Sequence, residues 1–303
     1  MKVFLHDEIH PEAVKYLEEQ GEIIDDWSRI DEVDGIVVRK IKLDKETIDR
    51  AKNLKVIGFH GAGVNGIDLE EARKRNITVF AVPGLNADSV AELNVALALD
   101  MAHMISRSYL EIREGNSMKD ALHRFRGHEI GGKVAGMIGF GQIGTRTAKI
   151  LRESFHMTVM AYSRSLTKER AEENGVLYAD SMEEVMRKAD FVFLALPCNA
   201  ETEYMICKET LEWMKPTAVL INTARGKLVK EADLYQALKE EKIAGAAADV
   251  FEKEPLEPGN LLITLPNFLA TPHIGGNTQE ALYRVGMGVV TGIYDRLKEA
   301  EHV

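Results

Sequence analysis

GMIGFGQIGTRTA, residues 136–148, is the stretch that decides the fold. Gly139, Gly141 and Gly144 fall in G-x-G-x-x-G spacing directly after the apolar run 134–138, and residues 145–151 can continue as a helix. In a strand–turn–helix each glycine has its own task. The first makes a tight turn, the second lets backbone approach a pyrophosphate, and the third lets the helix pack against the strand. The helix start then turns unpaired N–H groups and a partial positive charge toward the phosphates. A strand before and a helix after set the motif apart from a glycine-rich turn, so a dinucleotide site is expected here.

The same texture continues outward. Downstream, TVMAYS, FVFLALP, TAVLINTA, KIAGAAADVF and NFLATPH are apolar runs closed by turn signals, as expected of strands covered on both faces. Upstream, VFL (3–5), GIVVR (35–39), KVIGF (55–59) and TVFAV (78–82) alternate with helical stretches at 11–20 and 43–52. Strands alternating with helices predict parallel sheets and an α/β fold. Residues 88–110 read as one long helix, with Val90, Leu93, Leu97, Met101, Met104 and Ile105 at helical spacing. Ser89 and Glu92 are spaced as its capping box, and Asn277 with Glu280 predicts the cap of a last helix over 278–299.

With 303 residues, 45% of them hydrophobic, the chain can fill the cores of two domains. Its net charge of −10 argues against sequence-independent nucleic-acid binding, which needs clustered cations. No apolar stretch reaches the roughly 20 residues of a membrane helix. The acidic start MKVFLHDEIHPE offers no secretory apolar region. Cys198 and Cys207 cannot build a disulfide scaffold, so a reducing, cytoplasmic location is expected. The expected partner is a small molecule, with no nucleic acid, membrane or metal.

NAD-binding chains place an Asp or Glu about 20 residues past the glycines, on the ribose hydroxyls. Here the next strand ends TVMAYSRS, and Ser163 and Arg164 stand where the acid belongs. An acid would repel a 2′-phosphate, whereas a hydroxyl and a guanidinium hold it through charge-assisted bonds. Lys168 and Arg170 add positive potential. NADP is the expected cofactor, with NAD as second choice.

Three polar residues follow later strands, at the edge where open α/β sheets carry ligands. They are Arg225 in INTARG, Glu254 in DVFEKEP and His273 in ATPHIGG. Together they suit reduction of a 2-keto acid. An arginine fork binds carboxylate and polarises the neighbouring carbonyl, and a histidinium protonates its oxygen. A carboxylate partner raises the imidazole pKa and fixes its orientation.

In this order and spacing, GFGQIG, INTARG, DVFEKEP and ATPHIGG resemble the D-isomer-specific 2-hydroxyacid dehydrogenase family, over nearly the whole chain. GFHGAGVNGID (58–68) resembles the family's substrate loop, and VPGLNADSVAE (82–92) its crossing into the cofactor domain. The resemblance implies two Rossmann-like domains with parallel sheets and an interdomain active-site cleft. One is a discontinuous substrate-binding domain of 1–87 plus 277–303, the other a dinucleotide-binding domain of 88–276. Arg225 becomes the substrate-binding and catalytic arginine, Glu254 the histidine's partner, and His273 the acid/base. Gln142 and Ile143 would cover the pyrophosphate beside Gly139, Gly141 and Gly144, with Pro197 also on the cofactor. Thr223, Asp249, Gly275 and Gly276 would line the nicotinamide end. Backbone amides of His60, Gly61, Ala62 and Gly63 would grip the substrate carboxylate, with Arg39 close by.

Departures from the family pattern matter too. Asn65 and Gly66 replace the usual Asp-Asn of the substrate loop, so its selectivity does not carry over from phosphoglycerate enzymes. Lys230 replaces a usual Asp or Asn, with a peripheral effect expected. The expected activity is hydride transfer between NADP(H) or NAD(H) and a small 2-keto or D-2-hydroxy acid. The expected assembly is a homodimer formed through the helix 88–110 and the segment to Arg126. The alternative is a phosphoglycerate dehydrogenase lacking a regulatory domain, since the chain ends at Val303, with Arg39 and Lys40 as its phosphate cations. A non-catalytic dinucleotide-sensing corepressor is the reading from a different class.

Overall fold

Five strands form one sheet and seven another, every pairing parallel, in a computed structural model that describes residues 1–64, 66–116 and 119–301. The chain divides into two units, Met1–Asn86 with Gly276–Val303, and Ala87–Gly275.

The first unit holds β1 (Lys2–Leu5), β2 (Glu22–Ile24), β3 (Gly35–Val38), β4 (Val56–Phe59) and β5 (Thr78–Ala81), in the order β2-β1-β3-β4-β5. Side chains alternate across a strand, and the two faces fill separate cores. Phe4, Ile36, Val38 and Ile57 go to one, with Leu43, Ile48 and Ile77. Val3, Leu5, Val37 and Val56 go to the other. That second face is covered by Leu17 of helix Pro11–Gln20 and by Val289, Ile293 and Leu297 of helix Gln279–Glu301.

The second unit holds β6 (Val134–Ile138), β7 (Thr158–Tyr162), β8 (Leu177–Tyr178), β9 (Phe191–Leu194), β10 (Val219–Asn222), β11 (Gly245–Ala248) and β12 (Phe268–Ala270). Their order is β12-β11-β10-β9-β6-β7-β8. The chain runs outward from β6 to β8 and then returns to β6's other side with β9. That reversal opens a crevice at the carboxyl ends of β6 and β9, where open sheets bind ligands. Ile138, Val192, Leu194 and Leu220 fill one face and Met137, Phe191, Phe193 and Ile221 the other.

Local expectations need three corrections. The single helix over 88–110 is two, Ala87–His103 and Ile105–Arg113, with Met104 between them at φ 56°. Asp100 makes the break affordable: its carboxylate accepts the Ser106 N–H at 2.9 Å and the Ser106 hydroxyl. Ser89 does not cap, because its hydroxyl donates to the Gly275 carbonyl at 2.6 Å. At the last helix Thr278 accepts the Ala281 N–H at 3.2 Å, while Asn277 accepts from Arg39 Nη2 at 3.2 Å. Among the described residues no helix is long and apolar enough to cross a membrane.

Candidate active site

The glycine loop leaves β6 through Gly139, at φ 96°, whose N–H donates to the Tyr162 carbonyl at 2.8 Å. A Cβ on Gly139 would lie 2.3 Å from the Ala195 carbonyl oxygen, so only glycine closes this turn. Gly144 lies against Gly139 in the same way, whereas nothing stands within 4 Å of a Cβ at Gly141. The helix Gln142–Phe155 starts there with no side-chain cap. Tight backbone behind and open space before an uncapped helix start fit a pyrophosphate. Gln142 is exposed and Ile143 half-buried in that first turn.

Around the loop the other cofactor candidates take definite places. Arg170 does not float as general positive charge; its Nη2 donates to the Phe140 carbonyl inside the loop at 3.0 Å. Lys168 stands over the Tyr178 ring. Ser163 and Arg164 follow β7, and the exposed Arg164 guanidinium pairs with Glu201. Pro197 follows β9 and its carbonyl accepts the Thr202 hydroxyl at 2.9 Å. The buried Thr223 hydroxyl donates to Asn94 Oδ1 at 2.8 Å, and Asn94 Nδ2 donates to Thr147 at 3.1 Å. Asn94 thereby ties the end of β10 to the dinucleotide helix.

Asp249 is 1% exposed and turned toward the histidine's loop. It accepts the Thr271 hydroxyl at 2.6 Å and the N–H groups of Ile274 and Gly275, each at 2.8 Å. These bonds hold His273 at φ 55°, a left-handed conformation kept only where the surroundings enforce it. Gly276 opens the first unit's returning segment and packs beside Asn86.

His273 Nδ1 lies 2.5 Å from Glu254 Oε2. The other Glu254 oxygen accepts the Phe251 N–H at 3.1 Å. The loop is clamped from outside as well. Glu231 accepts the Glu252 N–H at 2.6 Å, and Glu252 returns the bond to the Glu231 N–H at 2.7 Å. Beside it runs the Arg225 turn, where a Cβ on Gly226 would lie 1.8 Å from the Phe251 carbonyl carbon. Half-buried Arg225 has one Nη on the Ala224 carbonyl at 2.7 Å.

The hydrogen bond to Glu254 raises the His273 pKa above its ordinary value, over the opposing effect of burial; the Asp249 charge adds and the Arg225 charge subtracts. Burial pushes the Glu254 carboxyl up, but hydrogen bonds from His273 and the Phe251 N–H outweigh it and leave the pKa low. Together these residues can exchange a proton with a substrate oxygen beside a fixed cation.

In the first unit Asp7 follows β1 and accepts the N–H groups of Arg39, Lys40 and Ile41 at 2.9, 2.7 and 3.2 Å. The Arg39 guanidinium donates to the Glu8 carbonyl at 2.6 Å as well as to Asn277. The His60 amide donates to Val38 at 2.7 Å and the Gly61 amide to Phe59 at 2.9 Å, so neither points outward for a carboxylate. Ala62 and Gly63 follow directly. Burial first, and the Arg39 charge second, push the His60 pKa down to about 4, so its buried imidazole is neutral. Asn65 lies outside the described residues. Among those described, no cluster of His, Cys, Asp and Glu is placed to hold a metal ion.

Asp7, Asn94, Glu201, Glu231 and Glu252 were not candidates in the sequence. Only Glu252, inside DVFEKEP, carried a local signal.

Over residues 95–275 the chain matches the model of the D-isomer specific 2-hydroxyacid dehydrogenase, NAD binding domain. It is 39% identical to a D-3-phosphoglycerate dehydrogenase of Archaeoglobus fulgidus over 98% of this chain, and spans only 58% of that longer protein. It is 38% identical to a glyoxylate reductase of Thermococcus litoralis over 94% of this chain and 90% of the relative. Among solved structures, an acyclic imino acid reductase in complex with NADPH and D-Arg aligns with a TM-score of 0.84 at 29% identity, covering 99% of this chain and 98% of that one. The fold is that of two Rossmann-like α/β units, and the chain belongs to the D-isomer-specific 2-hydroxyacid dehydrogenase family.

Proposed function

We propose that the chain reduces small 2-keto acids to D-2-hydroxy acids with NADPH preferred over NADH. The observation that carries this reading is the 2.5 Å bond between His273 and Glu254 beside Arg225, on the sheet that also bears the glycine loop. Bound there, the dinucleotide supplies or takes the hydride. Gly139, Gly141, Gln142, Ile143 and Gly144 hold its pyrophosphate, Pro197 flanks it, and Thr223, Asp249, Gly275 and Gly276 serve its nicotinamide end. Arg225 binds the substrate carboxylate and polarises the carbonyl. His273 gives its proton to the carbonyl oxygen during reduction and takes it back during oxidation, with Glu254 fixing the ring. The amides of Ala62 and Gly63 supply further grip on the carboxylate, with Arg39 near that loop. In this reading Ala87–Gly275 is the dinucleotide-binding domain and the first unit the substrate domain.

Ser163 and Arg164 support NADPH, since they offer a hydroxyl and a cation where an acid would repel a 2′-phosphate. The test is a panel of glyoxylate, hydroxypyruvate, 3-phosphohydroxypyruvate and longer 2-keto acids with each dinucleotide, followed by absorbance. Equal or better efficiency with NADH overturns the cofactor preference, and no turnover of any keto acid overturns the activity. Best turnover of the phosphorylated acid would favour the phosphoglycerate reading, against which Arg39 speaks by having both guanidinium arms engaged.

The helix Ile105–Arg113 supports a homodimer. It buries none of its side chains and exposes Ile105, Tyr109, Leu110 and Ile112, with Leu122 at 88% exposure beyond it. Such an apolar face calls for a partner, and a second copy is the commonest one. A monomeric mass by light scattering at micromolar concentration would exclude the dimer. Both cysteines are free thiols, which supports the cytoplasm as location; recovery in a membrane or extracellular fraction would oppose it.

A further inference from the structure

Arg164 and Glu201 form an ion pair outside the catalytic group. Arg164 follows β7 and Glu201 follows β9, and these two strands flank β6, whose end carries the glycine loop. The pair therefore joins the two strand ends on either side of the dinucleotide turn. Its acidic end is not slack. Asn199 Oδ1 accepts the N–H groups of Glu201 and Thr202 at 2.9 and 3.2 Å, and Thr202 bonds back to Pro197. Neighbouring cations are occupied elsewhere, Arg170 on the Phe140 carbonyl and Lys168 over Tyr178. Arg164 is left to meet a 2′-phosphate, and Glu201 already holds it.

We infer that Glu201 is a specificity-determining residue, whose carboxylate competes with a 2′-phosphate for Arg164 and so limits the preference for NADPH over NADH. The inference rests on the proposed place of Arg164 beside the adenosine ribose. A phosphate bearing about −1.5 to −2 charges must displace the carboxylate and then remain near it. A ribose 2′-hydroxyl carries no charge and can donate to that same carboxylate. Both effects act against NADPH. Both side chains are well exposed, at 65% and 71%, so water screens the pair and displacement is easy.

The test compares binding of 2′-phosphoadenosine diphosphoribose and adenosine diphosphoribose by calorimetry, with NADPH and NADH kinetics as second readout. In Glu201→Gln the affinity ratio of phosphorylated to unphosphorylated ligand should rise about two- to tenfold, the scale of one screened like charge and one exposed ion pair. In Arg164→Ala it should fall about tenfold or more, as for a lost charge-assisted bond. Adding Glu201→Gln to Arg164→Ala should raise the ratio by less than Glu201→Gln does alone, because competition for the guanidinium is already gone and only the repulsion and the hydroxyl bond remain to be removed. A ratio unmoved or lowered by Glu201→Gln, while Arg164→Ala still drops it, overturns the competition and leaves Arg164 in place. A ratio unmoved by Arg164→Ala removes Arg164 from the ribose, and both readings fall.

Discussion

Two ion pairs stand at the carboxyl edge of the seven-stranded sheet, and they are built in opposite ways. His273 and Glu254 meet inside a frame of backbone bonds, from Phe251 on one side and through Asp249 on the other. Arg164 and Glu201 meet in water, with only the acid's loop braced. A group that must hand over a proton needs a fixed direction and a shifted pKa, and partial burial with a tight partner supplies both. A group that must let go of its partner when a ligand arrives needs the reverse, a contact that solvent has already weakened.

Breaking the braced pair should give the largest effect. His273→Ala should lower kcat by about 10²–10⁴-fold, the range for a lost general acid. Dinucleotide affinity should change little. A kcat within threefold of wild type in steady-state assays would remove His273 from the chemistry.

Glu254→Gln should cost less and report more. In the proposed reaction reduction needs protonated His273, so the rate should hold below its pKa and fall as pH rises through it. Glu254 raises that pKa. Without the carboxylate the pKa drops, the alkaline limb of the reduction profile moves to lower pH, and much of the activity returns in acid. A limb that stays in place would uncouple the two residues.

Salt should separate the pairs by the smallest effect. Between about 0.01 and 1 M salt the screening length shrinks from roughly 30 to 3 Å. The NADPH-to-NADH efficiency ratio should fall several-fold over that range, while the alkaline limb moves by no more than a few tenths of a pH unit. Equal sensitivity of both readouts would erase the contrast between braced and exposed.

What was legible in the sequence follows from how local each feature is. The glycine loop and the positions of Arg225, Glu254 and His273 are set by short motifs at strand ends; spacing pointed to the loop, and the family resemblance of the ordered motifs gave the three side chains their expected roles. β2 and β8, of three and two residues, are too short to show any period. The break at Met104 was hidden because apolar spacing runs straight through it, and the residue that permits it, Asp100, acts through Ser106 six positions on. Ser89 and Asn277 carry real capping chemistry, but Gly275 and Arg39 claimed them from far along the chain. Nothing local marks Asn94, whose partners Thr147 and Thr223 lie far along the chain. Nothing local marks Glu201 either, because its partner Arg164 follows a different strand, 37 positions earlier.

The closing helix, Gln279–Glu301, brings Val289, Ile293 and Leu297 to a core whose other members, from Val3 to Val56, are made first. On the ribosome those early strands therefore wait with that apolar face covered only in part, by Leu17 and its helix. The intervening stretch, Ala87–Gly275, contains every strand of its own sheet and needs nothing made later to fill its cores. The unit that starts first is the unit that finishes last, and until its closing helix emerges it shows the kind of apolar surface that makes partly folded chains prone to aggregate.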